Sequence, residues 1–346
     1  MDTTSIDGRV GDRAQLERAR VELINGFYFR APPDPHKLSS YITPDHELFQ
    51  TIHMGAAVID NNLWRLDIHG LVERPYSLTL AQLRAMPSSR QTSFHECYGS
   101  PIKPPTEACR RIGNVTWTGA RLRDLLAKAA PLPSAHFLWS DGLDCGSFAD
   151  VKADRYQKDL PLAKAMSEEV LVAYEINGKP LDVHRGGPVR LIVPGWFGTN
   201  STKWLCSLKL EKGRSPSPFT MTFYNELVPG REAEGIMRPV WEVEPNSIIV
   251  HPAPEEQVTG HSVDISGWAW SDDGIRTVEI SVDDGRDWTL ANVAAREGFE
   301  WQAFNRELDL EAGNCTVTIR ATSTNDIQQP LSGRRNHVHS VHFTVT

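Results

Sequence analysis

The stretch PVRLIVPGWFG, residues 188–198, is a continuous run of branched apolar residues closed by glycines. Such a run is typical of a strand buried on both faces that ends in a tight loop. Upstream, LWRLDIHGLV (63–72) alternates like a strand, and SLTLAQLRAMP (77–87) begins like a capped helix. VTWTGARLRDLLAKAA (115–130) carries helical spacing. These patterns predict a mixed α+β domain over residues 41–238.

The residue pattern changes near residue 239, after which apolar and polar residues alternate with period two in most segments. TVEISVDDGRDWTLANV (277–293) holds two alternating runs around Asp284-Gly285, a dipeptide that tolerates the positive φ angles of a two-residue hairpin turn. Roughly seven short strands in about a hundred residues, with no helix signal, are typical of an immunoglobulin-like sandwich. We therefore predict an all-β domain over residues 239–346.

Residues 1–40 are predicted to form an N-terminal arm. A charged segment of helical character, GDRAQLERARVELINGF (11–27), passes into APPDPHK (31–37), whose prolines prevent regular structure. No stretch approaches the roughly 20 consecutive apolar residues of a spanning helix, and the N-terminus lacks the apolar core of a signal peptide. We expect a cytoplasmic protein that does not enter a membrane.

The 346 residues include 36 Lys plus Arg against 44 Asp plus Glu, which gives a net charge of -8. This balance disfavours nucleic acid or an anionic membrane as the main partner and favours a small molecule or a basic protein. The five cysteines form no CxxC pair, so neither a disulfide framework nor a four-cysteine zinc site is indicated. These thiols, expected to be free, are Cys97, Cys109, Cys145, Cys206 and Cys315.

Several catalytic signatures are missing from the sequence: GxGxxG, GxxxxGK[ST], GxSxG, HExxH and CxxCH. Nucleotide-phosphate binding, serine-hydrolase chemistry, zincin chemistry and c-type haem therefore lose support. The remaining candidate is Cys97 in FHECYGSPIKPP (94–105), where an apolar run meets a proline-rich loop. Considered alone, such a cysteine is more often a buried apolar thiol than a ligand.

Four segments stand in a distinctive order: YITPDHELF (41–49), FHECYGS (94–100), GGPVRLIVPGWFG (186–198) and STKWL (201–205). In sequence and in order they resemble the sulfite oxidase family of molybdopterin enzymes, beginning with its entry segment and its cysteine loop. The C-terminal GWAWSDDGIRTVEISVDDGRDW (267–288) is similar to that family's immunoglobulin-like dimerisation domain. The resemblance implies an α+β molybdopterin-binding catalytic domain, a C-terminal sandwich and a homodimer.

The resemblance also implies that Cys97 is a thiolate ligand of molybdenum. The metal of this family is held by the sulfurs of a pterin dithiolene, to which a protein thiolate adds one more soft ligand. Guanidinium, ammonium, hydroxyl and N–H donors suit the phosphate of the cofactor. The residues that match cofactor contacts are His53, Asp144, Arg190, Ser201, Thr202, Lys203 and either His184 or Arg185. Taken singly, each of these residues is more often part of a surface ion pair or the end of a strand than a cofactor contact.

Tyr224, in FTMTFYNE (219–226), matches the family's tyrosine beside the oxo group of the metal. A phenol at that place can donate a hydrogen bond and help to move a proton. The alternative is a core tyrosine at the domain junction. His95 and Glu96, which precede Cys97, are expected to point away from its side chain and to act only through its neighbours.

The predicted substrate pocket departs from the sulfite-oxidising pattern at two places. Thr51 stands where the family's Arg-Asn-His motif has its arginine, and CYGSPI (97–102) replaces Cys-Ala-Gly-Asn-Arg-Arg. A site that desolvates a small dianion needs such guanidinium groups. The candidates to replace them are Lys103, Arg110, Arg111, Arg334 and Arg335. The expected substrate is sulfite or another small oxo-acceptor.

Oxo transfer would leave two electrons on the metal, and the sequence has no haem motif or iron–sulfur cysteine pattern to receive them. We therefore expect an external acceptor, either a soluble electron carrier or dioxygen. Two other functions remain open: a catalytically retired family member that acts as a binding scaffold, and a zinc protein that uses His95, Cys97 and Cys109. Tryptophans that offer apolar area for the dimer, or fill the sandwich core, are Trp268, Trp270, Trp288 and Trp301.

Overall fold

The computed structural model describes residues 20–22, 27–30, 32–99, 110–228 and 230–346. Within these ranges the fold is sheet-rich, so the predicted α+β class takes a form with few helices. The α-helices are Leu80–Arg84, Leu122–Ala129, Leu162–Ala165 and Pro218–Met221. The 3-10 helices are Pro35–Lys37, Val183–Arg185, Gly198–Asn200 and Glu232–Glu234. In these described ranges, no helix is both long enough and apolar enough to cross a membrane.

Two five-stranded sheets form the first half of the molecule. The first has the order Gln157–Pro161, Phe137–Gly142, Leu205–Glu211, Arg65–Gly70 and Tyr76–Thr79. The second has the order Lys179–Pro180, Leu171–Ile176, Ile112–Arg121 and Ser88–Glu96, and Arg190–Ile192 also pairs with Leu171–Ile176. Both sheets contribute to one core, which contains Leu66 and Leu208 of the first sheet and Val172 of the second.

Four two-stranded ribbons surround these sheets and supply loops at their ends. They are Arg20–Glu22 with Ala56–Val58, Tyr28–Arg30 with Gln50–Ile52, Gly146–Phe148 with Val151–Ala153, and Asn225–Leu227 with Met237–Pro239. The first of these ribbons corrects the predicted helical segment 11–27 at Arg20–Glu22, which is a strand paired with a buried neighbour. The part of that segment that comes before residue 20 lies outside the described residues.

The C-terminal half is a sandwich of two sheets. One sheet has the order Asn246–His251, Ser262–Trp270, Gln302–Asp309 and Asn292–Val293. The other has the order Gln257–Val258, His339–Val345, Gly313–Ser323, Ile275–Ser281 and Thr289–Leu290. Alternating buried residues of both sheets, among them Ile265, Phe304 and Ile319, form its core. The described residues thus carry more strands than the seven predicted here.

Local patterns in the first half predicted element types better than element limits. The strand Arg65–Gly70 and the fully buried strand Arg190–Ile192 are confirmed. The helix Leu80–Arg84 begins at a capping box in which Thr79 and Gln82 exchange hydrogen bonds. The helical prediction for residues 115–130 is wrong up to residue 121, because that part is the strand Ile112–Arg121. Its β-branched residues favour a strand, and pairing on both sides buries it.

The predicted hairpin turn is longer than two residues. Asp284 and Gly285 do adopt positive φ angles, of 61° and 81°. However, the loop runs from residue 282 to 288, between the paired strands Ile275–Ser281 and Thr289–Leu290. The carboxylate of Asp283 accepts hydrogen bonds from the backbone N–H groups of the two residues after Gly285, and so orders this longer loop.

The tryptophans of the sandwich mainly fill the protein interior. Trp270 and Trp301 are buried, so the suggestion that they offer exposed area for a dimer is wrong. Trp268 stacks on Trp301 with ring centroids 4.7 Å apart. The indole N–H groups of this pair donate to the carbonyls of Leu38 and Tyr41, at 2.7 and 3.1 Å. The stacked pair therefore attaches the segment around residues 38–41 to the sandwich.

Candidate functional site

One cavity, of about 300 Å³, brings most of the predicted site residues together. It lies at the end of the strand Ser88–Glu96, which we call the cysteine strand because Cys97 follows it directly. Loops from both sheets and from the ribbon at Gln50–Ile52 complete its wall. The predicted residues that line it are His53, Cys97, Asp144, Arg185, Arg190, Ser201, Lys203 and Tyr224.

The position of Cys97 follows from strand pairing. The cysteine strand pairs with Ile112–Arg121, and the backbone N–H of Cys97 donates to the carbonyl of Arg111 at 3.0 Å. The same pairing places Arg111 Nη1 3.7 Å from Cys97 Sγ, and Thr51 Oγ1 lies at 3.7 Å from the sulfur on another side. A cation beside the sulfur suits a nucleophilic or ligating thiolate.

Three cationic side chains converge on the cavity. The buried Arg185 donates from Nε to Asp45 Oδ1 at 2.7 Å. Arg190 donates from Nη1 to the carbonyl of Arg185 at 3.1 Å and from Nη2 to the carbonyl of Ser201 at 3.2 Å. Its buried Nε has no hydrogen-bond partner. Lys203 Nζ donates to the carbonyl of Thr51 at 2.5 Å. Apart from the Asp45 contact, these cations are held by neutral carbonyl groups.

Burial and the neighbouring positive charges lower the pKa values of these cations. Burial, and then the neighbouring Arg185, lower the pKa of Arg190 to about 9. Burial, and then Arg190 and Arg185, lower the pKa of Lys203 to about 7, although Asp144 opposes the change. An anion in the cavity would reverse both effects, because it would compensate the positive charge. The donor set therefore fits a ligand that carries a phosphate.

Asp144 supplies the acidic side of the cavity. It is buried, its Oδ1 has no hydrogen-bond partner, and burial raises its pKa to about 7. Gly142 makes room for it, since a Cβ at that position would lie 2.4 Å from Asp144 Oδ1 and 2.7 Å from the carbonyl oxygen of Lys203. A buried acceptor without a donor is rare in a folded protein and fits a ligand with N–H groups.

The hydroxyl of Tyr224 is hydrogen-bonded to Nε2 of His53. Burial raises the pKa of Tyr224 well above its usual range. Burial, and then the cations Lys203, Arg111 and Lys158, lower the pKa of His53 to about 3. At neutral pH the pair is therefore an uncharged imidazole and a protonated phenol. Tyr224 also has a φ of 56°, a strained value for a residue other than glycine, of a kind that collects at functional sites.

Aromatic rings close the cavity around this pair. His53 meets Phe148 edge to face at 4.8 Å and stacks on Tyr156 at 5.3 Å. Tyr98 meets Tyr224 edge to face at 5.7 Å. Sequence reasoning missed Phe148 and Tyr156, because they come from separate segments with no common spacing. Nothing in the sequence alone marks them.

Two predicted cofactor residues do not line the cavity. The side chain of His184 is exposed, whereas that of Arg185, its alternative, is buried in the cavity wall. The hydroxyl of Thr202 is hydrogen-bonded to Ser140 Oγ at 2.7 Å within the core. Of the alternatives at 184 and 185, only the arginine therefore lies where a ligand of this cavity could meet it.

The prediction that His95 points away from Cys97 is wrong, whereas Glu96 does point away. His95 lines the cavity and stacks on Phe49 with ring centroids 5.5 Å apart. The chain stays in a strand up to Glu96, so residues two apart share a face. Glu96 lies on the opposite face and accepts hydrogen bonds from Trp270 and Asn246 of the sandwich, at 2.7 and 3.0 Å.

Among the proposed substitutes for the missing arginines that fall within the described residues, only Arg111 lines the cavity. Arg110 is directed to the sandwich, where Nη2 donates to the carbonyl of His337 at 2.6 Å. Arg334 pairs with Glu244 at 2.8 Å, and Lys103 lies outside the described residues. Arg335 lies against the ring of Tyr98.

The zinc alternative gains no support from the described part of the chain. No group of three or more His, Cys, Asp or Glu side chains in it is placed to hold a metal ion. Cys109, one of the three proposed ligands, lies outside the described residues.

Two family profiles match this sequence. Residues 53–219 match the one described as "Oxidoreductase molybdopterin binding domain", and residues 237–340 match "Mo-co oxidoreductase dimerisation domain".

Among similar proteins, mitochondrial sulfite oxidase of Macaca fascicularis is 30% identical over 325 residues, which is 86% of this chain and 59% of that protein. Sulfite oxidase of Gallus gallus is 28% identical over 332 residues, 88% of this chain and 72% of that protein. The chain thus spans less than two thirds of the mammalian relative. The crystal structure of the sulfane dehydrogenase SoxCD from Paracoccus pantotrophus matches with a TM-score of 0.78 at 24% identity, over 100% of this chain and 96% of that one, and shares the fold.

Proposed function

Because the chain belongs to the sulfite oxidase family of molybdopterin oxidoreductases, we propose that it is an oxidoreductase that transfers an oxygen atom and two electrons at a molybdenum bound by Cys97. The observation that carries the proposal is the joint lining of one cavity by the Cys97 thiol and by the buried cations Arg190 and Lys203, which donate to neutral carbonyl groups. When bound, the cofactor supplies a metal centre that accepts two electrons from a substrate that gains oxygen.

The residues of the cavity divide between the two ends of such a cofactor. Arg185, Arg190 and Lys203 would hold its phosphate, because fixed guanidinium and ammonium donors bind that group best. Asp144, with its unpartnered Oδ1, would accept from the N–H groups of the pterin. Cys97 would provide the soft ligand to the metal.

Tyr224 would hold a proton at the reacting end of the cavity. Its phenol stays protonated at neutral pH, and the uncharged imidazole of His53 fixes its direction. A phenol placed in this way donates a hydrogen bond to an oxygen that is being transferred and can pass on the proton that is released.

The two electrons would leave to an external acceptor, a soluble carrier or dioxygen. The match to a dimerisation domain supports a homodimer, and the two-sheet sandwich is consistent with the immunoglobulin-like type. The cytoplasmic location stays a prediction. A retired binding scaffold is the less favoured alternative, because it has no need for a cysteine sulfur beside a guanidinium and a strained tyrosine.

The first test is the molybdenum and pterin content of protein made in a host that synthesises the cofactor. Near-stoichiometric metal is expected in the parent, with a sulfur-to-metal charge-transfer absorption that disappears in Cys97→Ser. Cys315→Ser, in the strand Gly313–Ser323 of the sandwich, is the matched control and should keep both signals. Absence of metal and pterin from the parent would overturn the proposal and favour the alternative, a catalytically retired binding scaffold.

A further inference from the structure

Among the cations of the cavity, Arg111 is the one that contacts the Cys97 sulfur, whereas Arg185, Arg190 and Lys203 are assigned above to the phosphate of the cofactor. Within the described residues, Arg111 Nη1 lies 3.7 Å from the sulfur, and the hydroxyl oxygen of the neutral Thr51 lies at the same distance. A fully desolvated dianion requires close compensation of both charges. One guanidinium matches a monoanion.

A second guanidinium is close by but covered. Arg335 lies 3.4 Å from the centre of the Tyr98 ring, and Tyr98 lines the cavity whereas Arg335 does not. Arg335 Nη2 is also 3.4 Å from Glu226 Oε2, in an adjoining cavity of about 250 Å³ that both residues line. Tyr98 therefore separates this charge from the sulfur, and Glu226 partly neutralises it.

The cavity also offers aromatic surface. Tyr98 packs edge to face against Tyr224 at 5.7 Å and against Phe197 at 5.5 Å. Phe148 and Phe27, which also line the cavity, lie with their ring centroids 5.5 Å apart. Rings arranged in this way bind a flat apolar group by burial and by edge-to-face contact.

On the premise of the proposed function, we propose that the substrate is an organic sulfinate, a monoanion R–SO₂⁻ whose group R is apolar. Arg111 receives the charged oxygens beside the sulfur of Cys97, and the aromatic wall receives R. Tyr98 is the specificity-determining residue, because its ring both contacts R and keeps Arg335 from a dianion such as sulfite.

The reaction balances with water as the oxygen donor: R–SO₂⁻ + H₂O → R–SO₃⁻ + 2 H⁺ + 2 e⁻. One S–O bond forms, two O–H bonds of water break, and the substrate sulfur is oxidised by two electrons. The protons pass to solvent. The electrons pass to the external acceptor, for which two equivalents of ferricyanide serve in the assay.

The test compares benzenesulfinate with sulfite on the molybdenum-loaded protein, with ferricyanide as acceptor. The parent should have a kcat/KM for benzenesulfinate that is at least about tenfold higher than for sulfite, since a buried group left without its partner discriminates at that level or above. Tyr98→Ala should shift this ratio toward sulfite by about tenfold or more, because it uncovers Arg335. Tyr98→Phe keeps the ring and should keep the parent ratio.

A binding measurement separates specificity from reaction rate. Calorimetric titration of the loaded protein should show tighter binding of benzenesulfonate than of sulfate, and Tyr98→Ala should reverse that order. Addition of Arg335→Gln to Tyr98→Ala should remove the gain for sulfate and sulfite. Thermal melts identify any variant that fails to fold. If Tyr98→Ala does not fold, Tyr98→Phe and Arg111→Lys are compared with the parent instead. Arg111→Lys should raise the KM for benzenesulfinate.

Failure of this inference can be told from failure of the proposed function. A loaded protein that oxidises sulfite faster than benzenesulfinate, with a ratio unchanged in Tyr98→Ala, overturns the sulfinate assignment and leaves the oxidoreductase in place. A protein that binds neither molybdenum nor pterin overturns both.

Discussion

Lys203 combines two influences that act in the same direction. Its ammonium is surrounded by protein, and two guanidinium groups lie close to it. Both disfavour the charged form, so its pKa is about 7 where an unperturbed lysine has 10.5. An anion bound in the cavity favours the charged form and must raise that pKa again, so binding above pH 7 takes up a proton.

We therefore predict that the protein without its cofactor binds sulfate more tightly at pH 6 than at pH 9. Sulfate keeps its charge over this range, so the change reports on the protein. Each pH unit above 7 should weaken binding by up to about tenfold until the pKa in the complex is reached. Asp144, whose pKa is also about 7, loses its neutral form in the same window and adds to the trend.

Calorimetric titration with sulfate across this pH range measures the effect. Lys203→Met should reduce the slope, and Lys203→Met combined with Asp144→Asn should remove it between pH 6 and pH 8, whereas Arg190, with a pKa of about 9, keeps a shallow slope near pH 9. Equal sulfate affinity at pH 6 and pH 9 in the parent would contradict a proton-linked lysine in this cavity.

At the scale of elements, the loop after the 3-10 helix Val183–Arg185 decides where the cations lie. The helix is followed directly by Gly186, which has a φ of 89°. A Cβ there would come within 2.6 Å of the Cβ and Cγ of Lys203. Glycine is required both for the left-handed backbone and for the close approach of Lys203.

Gly186→Ala should therefore displace Lys203 and lower anion binding, and it should cost about 2–3 kcal/mol of unfolding free energy. Gly178→Ala is the matched control: its φ is 75°, but no atom lies within 4 Å of the added Cβ. That variant should lose only about 1–2 kcal/mol and keep sulfate binding. Urea unfolding and sulfate titration of the two variants make the comparison. Equal losses in both would mean that the contact with Lys203 is unimportant.

Single strands and helices also show which parts of the fold the sequence could predict. Period and capping residues specify a strand such as Arg65–Gly70 and a helix such as Leu80–Arg84, because those signals are local. The error at Ile112–Arg121 arose because helical spacing continues from the next helix into a strand that is buried between two neighbours. The error at His95 arose because residues two apart in an extended chain share a face, which places His95 on the same side as Cys97.

The chemical residues of the site were predictable only where a family pattern marks them. Cys97, Arg190, Lys203 and Tyr224 belong to such a pattern and do line the cavity. Phe148 and Tyr156 come from separate strands and loops, and only the tertiary fold brings their rings together around His53. No spacing in the sequence encodes that meeting.

At the scale of the whole molecule, Glu96 links the cysteine strand to the sandwich. It is buried, and burial raises its pKa to about 7, although the hydrogen bond from Trp270 and the charge of Arg110 oppose this. Asn246 donates to it at 3.0 Å, and Arg110 is hydrogen-bonded to the same Asn246. The carboxyl group of the cysteine strand thus satisfies two donors of the sandwich.

We predict that Glu96→Ala lowers the free energy of unfolding by about 3–5 kcal/mol, because it leaves Trp270 and Asn246 without their acceptor and removes the negative charge that compensates the buried Arg110. Glu96→Gln keeps an acceptor oxygen and should lose about 1–2 kcal/mol. Denaturant titration of the two variants gives both losses of unfolding free energy, and calorimetry checks them. A loss in Glu96→Ala no larger than that in Glu96→Gln would show that the hydrogen bonds accepted by Glu96 are not needed at this junction.

The contacts that join the two halves also constrain the order in which the protein can be made. Trp301 donates a hydrogen bond to the carbonyl of Tyr41, which lies 260 positions earlier in the sequence. Arg335 donates to the carbonyl of Tyr98, which lies 237 positions earlier. A ribosome that has just released the cysteine strand has not yet synthesised the residue that fixes the loop beside it. The wall at Tyr98 can therefore close only after residue 335 has emerged. The cavity beside Cys97 therefore takes its final form only when nearly all of this sequence has been translated, and a chain that stalls earlier would leave this wall unfinished.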